Sequence, residues 1–208
     1  NCGVRLAVTK LTADEVGPVF AAAWVEMQRR SAPGRDRYRS LPGGERAWWG
    51  GFVREVLTRL DHDAPWEPLL DELYAAFSDS RVWRTFPGAL ETVVELAARG
   101  LALAVISNWD RRLPAILRGL GLDAHFRVIT VSALVGVEKP AAAIFARTLA
   151  ELGVPAGRAL HVGDSPLEDY AGASQAGMAA ALIDREDRFA GQPYRRVRSL
   201  PALLELIG

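Results

Sequence analysis

The stretch that decides the fold is Leu160-His161-Val162-Gly163-Asp164-Ser165-Pro166-Leu167-Glu168-Asp169. Its apolar start ends at Gly163, which is typical of a buried strand followed by a sharp turn. Asp164 and Asp169 therefore follow the carboxyl end of a strand, where open α/β sheets bind ligands. Two neighbouring carboxylates repel each other unless a cation lies between them, and oxygen ligands suit Mg²⁺. The stretch predicts a metal-assisted site; the alternative is a turn residue at 164 and a helix-start residue at 169.

Composition and charge exclude several classes of partner. The chain has 208 residues and a formal net charge of zero, which gives no electrostatic basis for binding nucleic acid or an anionic membrane. Cys2 is the only cysteine, so an intrachain disulfide is excluded and no zinc cluster is in view. No apolar run is long enough to span a membrane, and Asn1–Arg5 lacks a signal-peptide pattern. We expect a reduced, cytoplasmic setting.

The first part of the chain is predicted to be helical. Apolar residues recur at helical spacing in three segments, Val16–Arg30, Glu45–Leu60 and Trp66–Phe77. Thr12 followed by Glu15 has the spacing of a capping box and marks the start of the first helix. Most of the six tryptophans lie in this half at helical spacing, which favours core packing over stacking on a substrate.

From residue 85 to residue 208, helices alternate with apolar strands. The predicted strands are Ala102–Ile106, Val128–Val131, Leu160–Val162 and Met178–Ile183. An alternation of this kind builds a parallel sheet through right-handed crossovers, with helices on both faces. The predicted fold class is therefore α/β, with a parallel sheet as its core.

Polar groups follow two further strands of the predicted sheet. Ser107 and Asn108 come directly after the first strand, where hydroxyl, amide and backbone N–H groups can hold a phosphate oxygen. The alternative is a turn that caps the next helix. Lys139 precedes Pro140 and a predicted helix, and its ammonium can neutralise a phosphoryl group or a carboxylate. The alternative is a solvated surface lysine.

The order of these strand ends resembles the haloacid dehalogenase-like (HAD-like) superfamily of hydrolases, in its phosphatase-like branch. Val105–Asn108 is similar to the second motif of that family, Glu138–Pro140 to the third and Gly163–Asp169 to the fourth. The resemblance is good over Phe86–Ile183. It implies that residues 1–84 form a helical cap domain and that residues 85–208 form the Rossmann-like core.

The resemblance also implies a mechanism. In this family an aspartate attacks a phosphoryl group, and water then hydrolyses the aspartyl-phosphate with the help of Mg²⁺. Ser107, Asn108 and Lys139 would bind the phosphoryl oxygens, and Asp164 would bind Mg²⁺. Lys139 and Asp169 would be the catalytic residues, Lys139 by stabilising charge and Asp169 by orienting Lys139 or metal-bound waters. The implied substrate is a small phosphorylated metabolite.

The first motif of the family, a strand that ends in Asp-x-Asp and supplies the nucleophile, is not found in the sequence. The nearest match, Asp14–Gly17, follows no buried strand, and Gly3–Leu6 resembles a cap segment that comes after the motif. We therefore expect the chain to begin after the nucleophile. Two interpretations stay open: part of a longer phosphatase, or a catalytically silent binding or scaffold relative. A core without its usual first strand would leave two strand edges to be filled by an oligomer, a partner chain or a rearranged N-terminus.

A third interpretation is a 2-haloacid dehalogenase. By resemblance, those enzymes work without Mg²⁺ and carry a different fourth motif, without the Gly-Asp start seen at Gly163–Asp164. The sequence therefore favours a phosphatase over a dehalogenase.

Several residues outside the motifs also carry expectations. His161 lies within a strand and is expected to be a satisfied core histidine. Trp109 and Asp110, just past the second motif, are expected to lie close enough to the site to touch a substrate. Five arginines in and before a polar loop could grip an anionic substrate, but a solvated loop is favoured because they show no matched spacing. They are Arg29, Arg30, Arg35, Arg37 and Arg39.

Overall fold

The computed structural model describes residues 11–30, 34–63 and 65–207, apart from the side chains at 28–30 and 40. Cys2 and Gly3–Leu6, on which the sequence carries expectations, lie outside these ranges. The predicted domain boundary between residues 84 and 85 stays a prediction. None of the helices in the described ranges combines the length and the apolar character that crossing a membrane requires.

Three helices build the first part of the chain, as the periodicity predicts. They are α1 (Ala13–Arg30), α2 (Gly44–Arg59) and α3 (Trp66–Ala76). The predicted capping box is confirmed: the Thr12 N–H donates to Glu15 Oε2 at 2.7 Å, and the Glu15 N–H donates to Thr12 Oγ1 at 3.3 Å. These bonds satisfy N–H groups that the start of a helix otherwise leaves without partners.

An aromatic cluster holds α1 and α2 together. Trp48 and Phe52 on α2 are buried, and the Trp24 ring on α1 meets both of their rings edge-on at 5.7 Å. Tyr38, in a 3₁₀ turn over Arg37–Ser40, packs on Trp48 at 5.3 Å. Edge-to-face aromatic pairs add to the free energy gained from burial alone. The prediction that tryptophans of this half form core packing is confirmed for Trp24 and Trp48.

Helices and strands alternate through the second part of the chain, which confirms the α/β class. The strands are β1 (Ala104–Ser107), β2 (Val128–Val131), β3 (Leu160–Gly163), β4 (Ala179–Ile183) and β5 (Arg196–Val197). The helices are α4 (Ala89–Ala98), α5 (Leu113–Gly119), α6 (Ser132–Val135), α7 (Ala142–Leu152), α8 (Gly172–Gln175) and α9 (Leu203–Ile207). The sequence pattern does not predict β5 and α6, because elements this short show no periodicity.

The strands form two separate parallel sheets. One contains β1 and β2, with Ala104 opposite Val128 and Ser107 opposite Val131. The other has the order β3–β4–β5, again with all strands parallel. Within the described ranges, no strand pairs with the second edge of β1 or of β3. In this part of the chain, β1 and β3 therefore each present an unpaired edge.

Helix α7 packs against both sheets. Ile144 and Phe145 have no exposed surface, and their apolar cluster includes Ile106 of β1 and Ala180 of β4. The Phe145 ring also meets the His161 ring of β3 edge-on at 5.1 Å. Helix α7 thus supplies buried surface that the two sheets share, and it holds them together where no strand of the described ranges joins them.

Replacing Phe145 by alanine should destabilise the protein by about 3–5 kcal/mol, because the change removes a fully buried ring and leaves a cavity under both sheets. The matched control is Phe86→Ala, since the Phe86 side chain is 56% exposed and lies against Arg185. This control should cost less than about 1 kcal/mol. Urea unfolding followed by tryptophan fluorescence measures both losses. Equal losses for the two variants would contradict the bridging role of Phe145.

Candidate active site

A buried ion pair joins Lys139 of the third motif to Asp169 of the fourth. Lys139 Nζ lies 2.5 Å from Asp169 Oδ1, so the alternative of a solvated surface lysine is wrong. His161 Nε2 lies 2.8 Å from the same oxygen and is the donor, because an ionised carboxylate only accepts. Burial raises the pKa of Asp169, but the hydrogen bond from His161 and the charge of Lys139 outweigh it and hold that pKa well below its usual range. His161 is thus a satisfied buried histidine, as predicted.

The chain turns sharply after β3 and brings Asp169 back against the strand. A π-helical turn over Pro166–Ala171 carries Asp169, and the Ser165 N–H donates to Asp169 Oδ2 at 3.0 Å. A Cβ on Gly163 would stand 2.1 Å from Asp169 Cγ, so this position requires glycine for the close approach. Asp169 is therefore both a residue at the start of a helical segment and the partner of Lys139.

The Asn108 side chain fixes the backbone of Lys139. Its Nδ2 donates to the Lys139 carbonyl at 2.9 Å, and its Oδ1 accepts the Lys139 N–H at 2.7 Å. These two bonds join the end of β1 to the segment that precedes α7. The phosphate-binding role of Asn108 stays a prediction, and its amide group has a second N–H to serve it.

Ser107 ends β1 and Asp164 follows β3, and the side chains of both are available to bind a ligand. Among the described residues, neither the Ser107 hydroxyl nor the exposed Asp164 carboxylate has a hydrogen-bond or ion-pair partner. A hydroxyl suits a phosphoryl oxygen, and a carboxylate suits a cation. The roles predicted for these two residues stay predictions.

The residues at these strand ends fit part of a magnesium site. Within the described ranges, no group of three or more His, Cys, Asp and Glu side chains could hold a metal ion. In phosphoryl-transfer sites, however, Mg²⁺ takes one or two carboxylates, with substrate oxygens and water as its other ligands. Asp164 fits one such position. Asp169 does not, because the cation beside it is the ammonium of Lys139 and both of its oxygens already accept hydrogen bonds.

Arg37 lies between α1 and α2, in the first part of the chain, which we call the helical part (α1 to α3). It contacts two glutamates that flank the ion pair. Its Nε donates to Glu138 Oε2 at 2.8 Å, and its Nη2 lies 3.5 Å from Glu168 Oε1. Burial lowers the pKa of Arg37, but the hydrogen bond to Glu138 outweighs it, so that pKa is raised. Burial also raises the pKa of Glu168. The helical part therefore contacts the neighbours of both Lys139 and Asp169 through one guanidinium.

The prediction of a solvated arginine loop is wrong for Arg37, which is only 3% exposed. It is confirmed for Arg35 and Arg39, which are exposed, whereas the side chains of Arg29 and Arg30 lie outside the described residues. Local spacing could not reveal the burial of Arg37, because its partner is 101 positions away in the chain.

The prediction that Asp110 touches a substrate is also wrong, because Asp110 has no exposed surface. Its carboxylate accepts hydrogen bonds from Trp49 Nε1 and from Arg112 Nε, each at 2.9 Å. The neighbouring Trp109 ring packs on Trp83 with the centroids 5.3 Å apart, and its contact with a substrate stays a prediction. An aspartate followed two residues later by arginine is the local signal that could have indicated this turn.

Comparison with known proteins identifies the family. Residues 6–177 match the haloacid dehalogenase-like hydrolase family. Haloacid dehalogenase-like hydrolase domain-containing protein 3 of Danio rerio is 36% identical over 184 residues, which cover 84% of this chain and 76% of that protein. The chain therefore belongs to the haloacid dehalogenase-like hydrolases, and it has their α/β fold of a Rossmann-like core with a helical cap.

Phosphatases and dehalogenases both stand among the similar proteins. Phosphoserine phosphatase of Thermus thermophilus is 34% identical over 154 residues, 70% of this chain and 61% of that protein. The crystal structure of a HAD phosphatase from Thermococcus onnurineus has a TM-score of 0.64 at 26% identity, covering 90% of this chain and 79% of that one. The crystal structure of a 2-haloacid dehalogenase from Pseudomonas syringae has a TM-score of 0.60 at 25% identity, and the match covers 95% of this chain and 81% of that one.

Replacing Asp169 by asparagine should destabilise the protein by about 3 kcal/mol at neutral pH, because Lys139 would stay buried without a counter-charge. The loss should shrink below about pH 4. The sign follows from the depressed pKa of Asp169 in the folded protein: its stabilisation is present above the unfolded pKa and is lost as the pH falls. Urea unfolding of both proteins across this pH range measures the difference.

The double variant Asp169→Asn, Lys139→Met is the control, since it removes both charges. It should be more stable than Asp169→Asn alone, because no unpaired charge stays buried. Two results would speak against the buried pair. One is a single variant as stable as the wild type at pH 7, and the other is a double variant no more stable than the single.

Proposed function

We propose that the chain belongs to a Mg²⁺-dependent phosphatase that acts on a small phosphate ester. The observation that carries the proposal is the buried pair of Lys139 and Asp169, 2.5 Å apart. The strand ends beside it also present Ser107 and Asp164, whose side chains have no partner among the described residues. A positioned ammonium, a hydroxyl and a carboxylate match what phosphoryl transfer needs, which is positioning and charge stabilisation. The phosphatases among the chain's relatives support the same reaction class.

Each residue has a separate task in the proposed reaction. Lys139 stabilises negative charge on the phosphoryl oxygens, and Asp169 holds its ammonium in place. Ser107 donates its hydroxyl hydrogen to a phosphoryl oxygen, and Asn108 keeps Lys139 at the end of β1. Asp164 would bind Mg²⁺, which when bound supplies further positive charge at the phosphoryl group.

The attacking carboxylate of this proposal lies outside the described residues. Asp169 is unsuited to attack, because Lys139, His161 and the Ser165 N–H occupy its oxygens. We propose that a strand outside the described ranges supplies the nucleophile and pairs with the unpaired edges of β1 and β3. The second candidate is a catalytically silent binding protein, which the lack of a recognisable first motif in the sequence favours.

The proposed partner is a small phosphorylated metabolite. With a formal net charge of zero, the chain has no electrostatic basis for binding nucleic acid or a membrane surface, so we propose neither as a partner. We also propose a cytoplasmic location. The unpaired edges of β1 and β3 favour a contact with a strand of the same protein or of a partner chain.

The natural gene product that contains this chain should hydrolyse p-nitrophenyl phosphate in the presence of Mg²⁺. Lys139→Met should lower kcat at least about 100-fold, because charge stabilisation at the phosphoryl group is lost. Asp164→Asn should cause a similar loss that added Mg²⁺ partly reverses. The 208-residue chain by itself should show no turnover. Phosphate release measured against Mg²⁺ concentration tests all four statements.

The matched control is Arg147→Met, which removes an exposed positive charge from α7, the helix that follows Lys139. It should leave kcat within about twofold of the wild type. Turnover by the 208-residue chain that Asp164→Asn abolishes would overturn the placement of the nucleophile. Chloride release from a 2-haloacid without metal would identify a dehalogenase. The absence of both activities in the natural gene product would support the silent relative.

A further inference from the structure

The loop that follows Ser107 meets α2 in a polar cluster around the buried carboxylate of Asp110, which the proposed chemistry does not use. We name Trp49, Asp110 and Arg112 the Asp110 clamp. Asp110 Oδ2 accepts hydrogen bonds from Trp49 Nε1 at 2.9 Å and from Arg112 Nη2 at 2.5 Å. Asp110 Oδ1 accepts the N–H and the Nε–H of Arg112 at 3.0 and 2.9 Å. The carboxylate is therefore fully satisfied, and Trp49 is the only donor among these that comes from the helical part.

The helical part also holds the clamp from its other side. The Arg112 guanidinium lies 3.8 Å over the Tyr74 ring of α3, and Arg112 Nη1 donates to the Tyr74 carbonyl at 3.1 Å. Next to it, Glu45 at the start of α2 accepts the N–H and the Nε–H of Arg111, each at 3.0 Å. Three residues on α2 and α3 thus bind three consecutive residues of one loop.

The same loop leads to Lys139. Two residues before Asp110, the Asn108 amide makes both of its hydrogen bonds to the backbone of Lys139. The Trp109 carbonyl accepts the Ser132 hydroxyl and the Ala133 N–H, each at 3.2 Å, which fixes the loop against α6. The hydrogen bond of Trp49 at Asp110 and those of Asn108 at Lys139 are therefore joined by the backbone of one short loop, so the loop connects the indole to the backbone of Lys139.

We propose that Asp110 is a positioning residue that couples the helical part to Lys139. A buried carboxylate tolerates little movement, because any displacement breaks its hydrogen bonds to charged or polar donors. The clamp therefore fixes the loop. The two hydrogen bonds of the Asn108 side chain then hold the backbone of Lys139 in place relative to that loop. A misplacement of about 1 Å at reacting groups is enough to lower a rate by up to about 100-fold. The catalytic part of this inference rests on the proposed phosphatase function, whereas the coupling itself does not.

The variant that tests the clamp is Trp49→Phe, which keeps an aromatic ring on α2 but removes the indole N–H together with the five-membered ring that carries it. Asp110→Asn is less suitable, because it would leave the partly buried Arg112 guanidinium without its counter-charge and the protein could fail to fold. The matched control is Trp48→Phe, which makes the same change one position earlier on α2. Among the described residues, Trp48 makes no hydrogen bond to Asp110.

Hydrogen–deuterium exchange of the natural gene product that contains this chain measures the coupling without any activity. In Trp49→Phe, amides in residues 108–112 and 136–139 should exchange about tenfold faster relative to those of β4, because a hydrogen bond to a charged group has been lost. In Trp48→Phe, this ratio should stay within about twofold of the wild type. Faster exchange confined to residues 108–112, or equal changes in both variants, would overturn the coupling.

Steady-state hydrolysis by the natural gene product measures the catalytic consequence. Trp49→Phe should lower kcat about tenfold and change KM less than about twofold, whereas Trp48→Phe should change neither by more than about twofold. A Trp49→Phe protein with unchanged kcat would overturn the positioning role. An inactive wild-type protein would overturn the proposed function instead, and the exchange ratios would then decide the coupling by themselves.

Discussion

The ion pair between Lys139 and Asp169 constrains its surroundings because it takes two charges out of water at one point of the molecule. Such a pair is stable only when the rest of its hydrogen-bonding capacity is also used. Here His161 and the Ser165 N–H occupy the carboxylate, and both belong to the segment that runs from β3 into the π-helical turn. The absent side chain of Gly163 is part of the same constraint, since any Cβ there would overlap the carboxyl group of Asp169. The turn after β3 is therefore shaped by the need to keep one carboxylate ionised beside one ammonium.

A second constraint is that the two sheets have no strand in common among the described residues, so other contacts must hold them together. Helix α7 does this below the sheets through Ile144 and Phe145, and the polar contacts of Lys139 do it at the strand ends. The same lysine thus links the loop after β1 to the turn after β3. Lys139 therefore stabilises the contact between the two sheets, in addition to its role in the proposed chemistry. The two elements that it links follow β1 and β3, the strands that each present an unpaired edge among the described residues.

Most of the helices and four of the five strands of the described chain could be predicted, because their apolar residues follow periods that local geometry dictates. The capping box at Thr12 and the turn after Gly163 were also within reach, since each depends on neighbours a few positions away. The pairing of Asp169 with Lys139 spans 30 positions, and only the resemblance to a known family suggested it. The burial of Arg37 and Asp110 could not be predicted in this way. Whether a charged side chain is solvated or buried depends on its partner, and the partners here are Glu138, 101 positions from Arg37, and Trp49, 61 positions from Asp110. No local pattern reveals these two distant partners, although the pairing of Asp110 with Arg112, two positions on, is local.

The charge state of Asp169 tests the account most directly, because every inference about the site assumes an ionised carboxylate held by Lys139 and His161. Carbon-13 NMR of the Asp169 carboxyl carbon, followed as the pH is lowered, measures it. The account predicts that this carbon shows no titration near pH 4, about where an ordinary aspartate protonates, and that it changes only at clearly lower pH or when the protein unfolds. A carboxyl group that titrates at or above about pH 4 in the folded protein would contradict the buried ion pair, and with it the proposed position of Lys139.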